Sequence, residues 1–344
     1  MKKNLAFILT LVVMFILAGC SQAETDVNDT ESTRETEAVE TTVNTEPMKL
    51  RAIAPEGATT IAMLKMIHDQ PEIGQDVEIV YESLNTTELL AADLMGEKTD
   101  FAIAPTNLAA NLYSKGIPYT LVSVNTHGNL FMVTSLEIDS WDDIKGKTVY
   151  MIGQGLVPDL IFRYLAKENG IDPDQDITIT YLGGSTEIAP AFLSGKAEII
   201  IMPEPVLSVV STKDVPFTVL FDFQEEYAKA TGIEGGYPQS GLLVRNTLIE
   251  TQPAVVKAFI EQLEASNTWV NENLDTAAVY MQDLDLGIPA PVAVKAIPGL
   301  NIRFESIADS KAGLEQMFTI LFNAAPESIG GVLPDEAFYA YQAK

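Results

Sequence analysis

Two kinds of apolar pattern alternate along most of this chain, and the alternation leaves few folds open. Residues 100–104 (DFAIA) and 197–202 (AEIIIM) are short, almost unbroken apolar runs, the pattern of strands buried on both faces. Residues 176–182 (DITITYL) alternate strictly, as a half-buried strand does. Between such runs, apolar residues recur three apart, as at Ile61, Leu64 and Ile67, which is helical spacing. Strands are expected at 49–54, 77–81, 100–104, 119–124 and 130–134, with helices over 59–68, 86–95 and 106–114. A second series follows. Its strands are expected at 147–152, 176–182, 197–202 and 217–221, and its helices at 159–169, 188–193 and 205–211. A turn-rich patch (GIEGGYPQSG, 232–241) precedes a last strand at 241–244. From Pro253 the pattern is helical: 253–273, 276–283, 291–297, 311–322 and 335–341. Strand-helix order of this kind predicts an α/β fold with mainly parallel sheets. The two series predict two lobes, with crossings near 134–139 and 235–241. Lobe I would comprise 47–135 plus 240–344, and lobe II 136–239.

The N-terminus carries a different pattern. Lys2 and Lys3 precede an apolar stretch over 5–17, the composition of a secretory signal and too short for a comfortable bilayer span of about 20 residues. Cys20, the chain's one cysteine, follows Leu17-Ala18-Gly19. Leu-Ala-Gly-Cys resembles the bacterial lipobox, which implies cleavage after residue 19 and lipidation of Cys20. Stable anchoring needs two or more acyl chains. Residues 20–46 are rich in Thr and Glu, with Arg34 as their one base. Such a segment buries too little to order itself and reads as a lipid-anchored acidic tether.

The charge limits the partners. With 21 Lys+Arg against 48 Asp+Glu, the formal net charge is -27, which opposes binding to a phosphate backbone. One cysteine leaves no intrachain disulfide and no multi-Cys metal site. No P-loop and no G-x-S-x-G elbow occurs. The two histidines, His68 and His127, lack metal-site spacing and read as structural. Gly153-Gln154-Gly155 opens like a dinucleotide fingerprint, yet Pro158 stands where the third glycine belongs. No catalytic residue, metal or cofactor is expected.

What remains is a set of loops. Short small-residue segments join strand ends to helix starts at 56–60, 105–107, 153–155, 183–186 and 203–205. In open α/β sheets, ligands bind beyond the carboxyl ends of strands, and free N–H groups at helix starts hold polar groups. Two lobes facing each other with such loops would form a ligand cleft.

Three stretches sharpen this reading: DFAIAPTNLAANLYSKGIPYTLVS (100–123), SWDDIKGKTVYMIGQGLVPDLIFRYLAKENGI (140–171) and LSGKAEIIIMPEP (193–205). In this order, together with a lipobox and a tether, they resemble solute-binding lipoproteins of ABC importers. The nearer resemblance is to the nitrate, sulfonate and taurine branch, which also holds binders of a thiamine pyrimidine precursor. The resemblance covers nearly all of 47–344. It implies a type II periplasmic-binding fold that closes on a small molecule between its lobes and docks on a membrane permease with its ATPase. It also implies a monomer outside the cytoplasm, held at the membrane by lipid alone. By loop position, the implied ligand-binding residues are Gly57, Ala58, Thr59, Thr60, Thr106, Asn107, Gly155, Leu156, Glu204, Gln239 and Ser240. None of these loops carries Lys or Arg, and the nearest base is Arg163. An acidic protein without a basic cleft residue repels anions at long range. The expected ligand is therefore neutral or weakly cationic, such as a heteroaromatic pyrimidine, with Glu204 accepting from an amino group. Two alternatives are an enzyme related to pyrimidine synthesis, needing His68 or His127 in the cleft, and a surface sensor or adhesin on the same fold.

Overall fold

The computed structural model describes residues 47–342 apart from Asn85. The signal over 1–19, Cys20 and the tether over 20–46 lie outside the described residues. Among the described residues, no helix is long and apolar enough to cross a membrane.

The first sheet uses β1 (Met48–Pro55), β2 (Val77–Leu84), β3 (Phe101–Pro105) and β4 (Tyr119–His127). The second uses β5 (Leu130–Thr134), β6 (Thr148–Met151), β7 (Thr178–Tyr181), β8 (Ile199–Pro203) and β9 (Thr218–Asp222). The chain then returns to the first sheet with β10 (Pro238–Arg245) and β11 (Ile302–Ser306). The strand orders are β11-β4-β10-β3-β1-β2 and β7-β6-β8-β5-β9. β1 pairs parallel with β2 and β3, and β6 with β7 and β8, whereas β10 and β5, the strands arriving from the other lobe, run antiparallel to their neighbours, as does β11 to β4.

Apolar side chains cover both faces of the first sheet. One face holds Ile103, Leu242 and Val244 under Phe259 and Leu263 of helix Pro253–Glu272. The other holds Ala102 and Leu243 under Leu314, Met317 and Phe318 of helix Ile307–Ala324. That second cluster continues into the other lobe through Ile161, Phe162 and Leu165 of helix Val157–Glu168. Apolar burial therefore ties the lobes together at one side. Arg51 on β1 adds a polar tie within the first lobe, with a two-pronged pairing to Glu82 at 2.8 and 2.6 Å and a third bond to Asp93 at 2.5 Å.

Five features depart from the sequence expectation. Leu130–Thr134, expected in lobe I, pairs with β8 and β9 of the second sheet. The first crossing is thus at Gly128 and Asn129, not at 134–139. Gly128 donates its N–H to Tyr237 O at 2.9 Å, and an added Cβ there would lie 2.2 Å from the Tyr237 ring. Only glycine lets the two crossing strands touch. At the second crossing, β10 starts at Pro238, so Gln239 belongs to the first sheet and not to lobe II.

The helix expected over 59–68 is broken at Met63 into Ala58–Ala62 and Leu64–Asp69. The Ala62 carbonyl accepts from Ser266 Oγ and Asn267 Nδ2, both at 2.8 Å. These side chains replace the helical donor. Helix Phe223–Thr231 and strand β11 were not expected. The helix is capped by Asp222, whose carboxylate accepts from Gln224 N at 2.8 Å. β11 is a short edge strand that pairs only with β4, through a register shift. Asn301, just before it, donates to Gly128 O at 3.1 Å and Gly235 O at 3.0 Å, so one side chain holds both crossings.

Candidate functional site

The carboxyl ends of β1 and β3 carry the loops singled out in the first lobe. Those of β6, β7 and β8 carry their counterparts in the second. The lobes meet at Glu204, just after β8. Its side chain lies against Gly299, whose added Cβ would be 2.8 Å from Glu204 Cγ.

On the first lobe, a cavity of about 430 Å³ opens beyond β1 and β2, with Gly57, Thr60 and Ser83 on one wall and Leu284 and Leu286 on the other. The exposed carboxylates of Glu56 and Asp285 stand at it as well. Thr60 Oγ1 donates to Pro55 O at 2.7 Å and lies 2.9 Å from Ser83 Oγ. Thr59 also bonds Pro55 O, so its hydroxyl is committed to the turn. Ala58 opens the short helix beside them. The wall thus offers hydroxyl acceptors and two acids, and no base among its lining residues.

The other expected residues of this lobe sort differently. Thr106 is fully buried, and its hydroxyl donates to Pro238 O at 2.8 Å. It joins β3 to the returning strand. Asn107 Nδ2 donates to Ser328 O at 3.3 Å, toward the C-terminal turn. Ser240 is buried between Pro105 and Thr126. Gln239 Oε1 and Thr126 Oγ1 are buried without a hydrogen-bond partner. A buried acceptor left unpaired costs about 1–3 kcal/mol.

On the second lobe, Leu156 is exposed at the start of helix Val157–Glu168. Gly155 N donates to Asp159 Oδ2 at 2.9 Å. Asp159 Oδ1 accepts from Arg163 Nε and from the Tyr181 hydroxyl, each at 2.9 Å. Glu204 is 8% exposed. Among the described residues its carboxylate is bonded only by Ser208, through N at 3.1 Å and Oγ at 2.9 Å. Burial pushes its carboxyl above the ordinary value, and the Ser208 bonds oppose this only in part. A buried carboxylate without a cation is a site for a proton or a positively charged partner.

The sign of that shift makes a prediction. A folded-state pKa above the unfolded one stabilises the fold fully below about pH 4.5, the ordinary glutamate value, and the gain is lost as pH rises through the folded pKa. Glu204→Gln keeps the shape and removes the charge. It is expected to raise the urea midpoint relative to wild type at pH 7, with little difference at pH 4. A midpoint lower at pH 7 than wild type would refute the assignment.

Neither histidine sits among these loops. His68 stacks on Tyr280 at 3.5 Å and pairs with Asp69 at 2.8 Å. His127 is buried at the crossing, with Nε2 3.3 Å from Glu305, and burial holds its imidazole below the ordinary range. Among the described residues, no group of three or more His, Cys, Asp or Glu side chains is placed to hold a metal ion.

Ser83, the loop Leu284 to Ile288 and Asp159 were not expected at the site. Ser83 ends a strand, so the rule that found the other loops applies to it. Asp159 and Arg163 stand four apart on a helix, a spacing that signals an ion pair. Nothing local marks 284–288, which reaches the cavity only through helix packing.

Two α/β lobes joined by two crossings, with the singled-out loops at the carboxyl ends of their strands, have the two-lobe fold of periplasmic binding proteins. The chain belongs to the NMT1/THI5-like family, whose model matches residues 72–277. It is similar to the putative binding protein YtlA of Bacillus subtilis (strain 168), with 23% identity over 211 residues, 59% of this chain. The match spans 59% of that relative's own length. The fold is similar to that of an ABC transporter protein from Parabacteroides distasonis, with a TM-score of 0.73 and 22% identity over 85% of this chain and 98% of that one. It is also similar to the periplasmic aliphatic sulphonate binding protein SsuA of Escherichia coli, with a TM-score of 0.68 and 14% identity over 87% and 93% of the two chains.

Proposed function

We propose that this protein is the solute-binding component of an ABC importer. It captures one neutral or weakly cationic small molecule between its lobes and delivers it to a permease and its ATPase. The observation that carries this reading is the lining. The loop residues of both lobes present hydroxyls and carboxylates: Thr60, Ser83 and Glu56 line the first-lobe cavity, and in the second lobe the buried Glu204 carboxylate is bonded by Ser208 and by no cation among the described residues. The family membership and the binding-protein relatives support the same reading. The lipobox at Cys20 supports an extracytoplasmic, lipid-anchored monomer, with membrane contact through lipid alone.

Native mass spectrometry of protein purified from its own host tests this. One small molecule of constant mass is expected to co-purify and to raise the melting temperature when added back. Glu204→Gln is expected to weaken it about tenfold or more, the weight of a hydrogen bond to a charged group. No retained molecule, together with no melting shift from any metabolite in a broad set, would refute the proposal. For the anchor, Cys20→Ser is expected to move the protein from the membrane fraction to the soluble fraction. Unchanged membrane recovery would exclude lipidation there.

A further inference from the structure

Helix Val157–Glu168 starts at the cleft-side end of β6, where an anionic ligand group would ordinarily find free N–H groups and a positive dipole end. Here the place is taken. Asp159 is 2% exposed and folds back under the exposed Gly155 loop. Its Oδ2 accepts the Gly155 N–H at 2.9 Å. Its Oδ1 holds the Arg163 guanidinium and the Tyr181 hydroxyl, each at 2.9 Å. Arg163 spends its other nitrogens on Asp174 at 2.7 Å and Tyr181 at 3.1 Å. Two carboxylates therefore surround the one guanidinium. The donors that suit a sulfonate or carboxylate, namely a backbone N–H, a guanidinium and a phenol, all converge on one internal carboxylate.

We infer that Asp159 is the specificity-determining residue that denies the second lobe to anionic solutes, by occupying its anion-binding donors as an internal anion. The inference rests on the solute-binding reading above and adds how charge selection is built. An incoming anion would have to displace a buried carboxylate that is covalently part of the chain, so its effective concentration cannot be diluted away. It would also meet the charges of Asp159 and Asp174 at close range. A neutral or cationic solute meets neither obstacle.

The test uses the full chain without its signal, with ethanesulfonate as probe, read by calorimetry against chloride at matched ionic strength. Wild type is expected to show no saturable binding. Asp159→Ala vacates the pocket and frees Gly155 N–H and Arg163. It is expected to bind ethanesulfonate at least about tenfold more tightly than wild type, the weight of one charge-assisted hydrogen bond. Asp159→Asn removes the charge but keeps an acceptor for Gly155, and its gain is expected to be smaller than that of alanine. A folded alanine variant that binds ethanesulfonate no better than wild type overturns the inference. So does wild-type protein that already binds it in the cleft. If the alanine variant does not fold, the asparagine variant decides, and affinity equal to wild type overturns the inference. A co-purified solute in wild type is read separately by mass spectrometry. Its absence counts against the solute-binding reading, whereas a missing anion gain in protein shown to bind that solute and then stripped of it counts only against Asp159.

Discussion

Gly241→Ala is expected to destabilise the protein by about 3 kcal/mol and to abolish solute retention. Gly241 lies on β10 opposite Val124 and Ala104, just past a register shift at Ser240. A Cβ there would stand 2.1 Å from the Ser123 carbonyl oxygen and 2.8 Å from a Leu121 methyl. The obstacle is backbone within a sheet, which cannot rotate aside as a side chain can. Relief requires β10 to move off β4, and overpacking of this kind costs about 1–3 kcal/mol or more. Glycine inside a strand commonly marks such a close approach. The same displacement would shift Gln239 and Ser240, two and one residues away. Urea midpoints measure the first effect, and native mass spectrometry of the surviving folded protein measures the second. A variant within about 0.5 kcal/mol of wild type would show that the strands can part freely.

Phe259→Ala is expected to cost about 3–5 kcal/mol, the range for truncating a buried aromatic side chain. Phe259 is fully buried, and its ring stacks on that of Phe101 at 3.8 Å with an interplanar angle of 4°. Those two rings join helix Pro253–Glu272 to the centre of the first sheet, so truncation leaves a cavity at the middle of the core. Phe259→Leu fills most of that volume and should cost less than half as much. The pair of urea midpoints checks this ordering. Equal losses would point to the ring stacking, not the volume, as the source of stability.

Much of the fold was legible because its elements are marked locally. The parallel strands announce themselves as apolar runs, and the helices start at small or polar residues after them. The unexpected features are those whose cause is distant. The break at Met63 depends on Ser266 and Asn267, more than 200 residues along the chain. The sheet joined by Leu130–Thr134 depends on whether Tyr237 lies against Gly128. Helix Phe223–Thr231 buries only two apolar side chains, Phe223 and Tyr227, beside the carboxylate of Glu226, a stripe too short and mixed to stand out in a turn-rich neighbourhood. Among the described residues β11 pairs with β4 alone.

The candidate site divides along the same line. Loop positions follow from sheet topology alone, so the segments at 56–60, 153–155 and 203–205 could be named from the order of runs and helices. Side-chain roles could not. Thr106 looks like a ligand-facing hydroxyl at a helix start, yet it bonds Pro238 O, 132 residues away. Asp159 looks like a solvated residue in a first helical turn, yet it is buried under Gly155 and beside Tyr181.

By itself the sequence determined an α/β chain of two strand-helix series, an acidic balance, and which loops lie at the strand ends. Each of these is a local periodicity or a sum over residues. Only the tertiary structure decided which sheet each crossing strand joins and which polar atoms are left over. A hydrogen-bond donor or acceptor is available to a solute only if no other part of the chain reaches it first. Those competitors come from segments tens to hundreds of residues away.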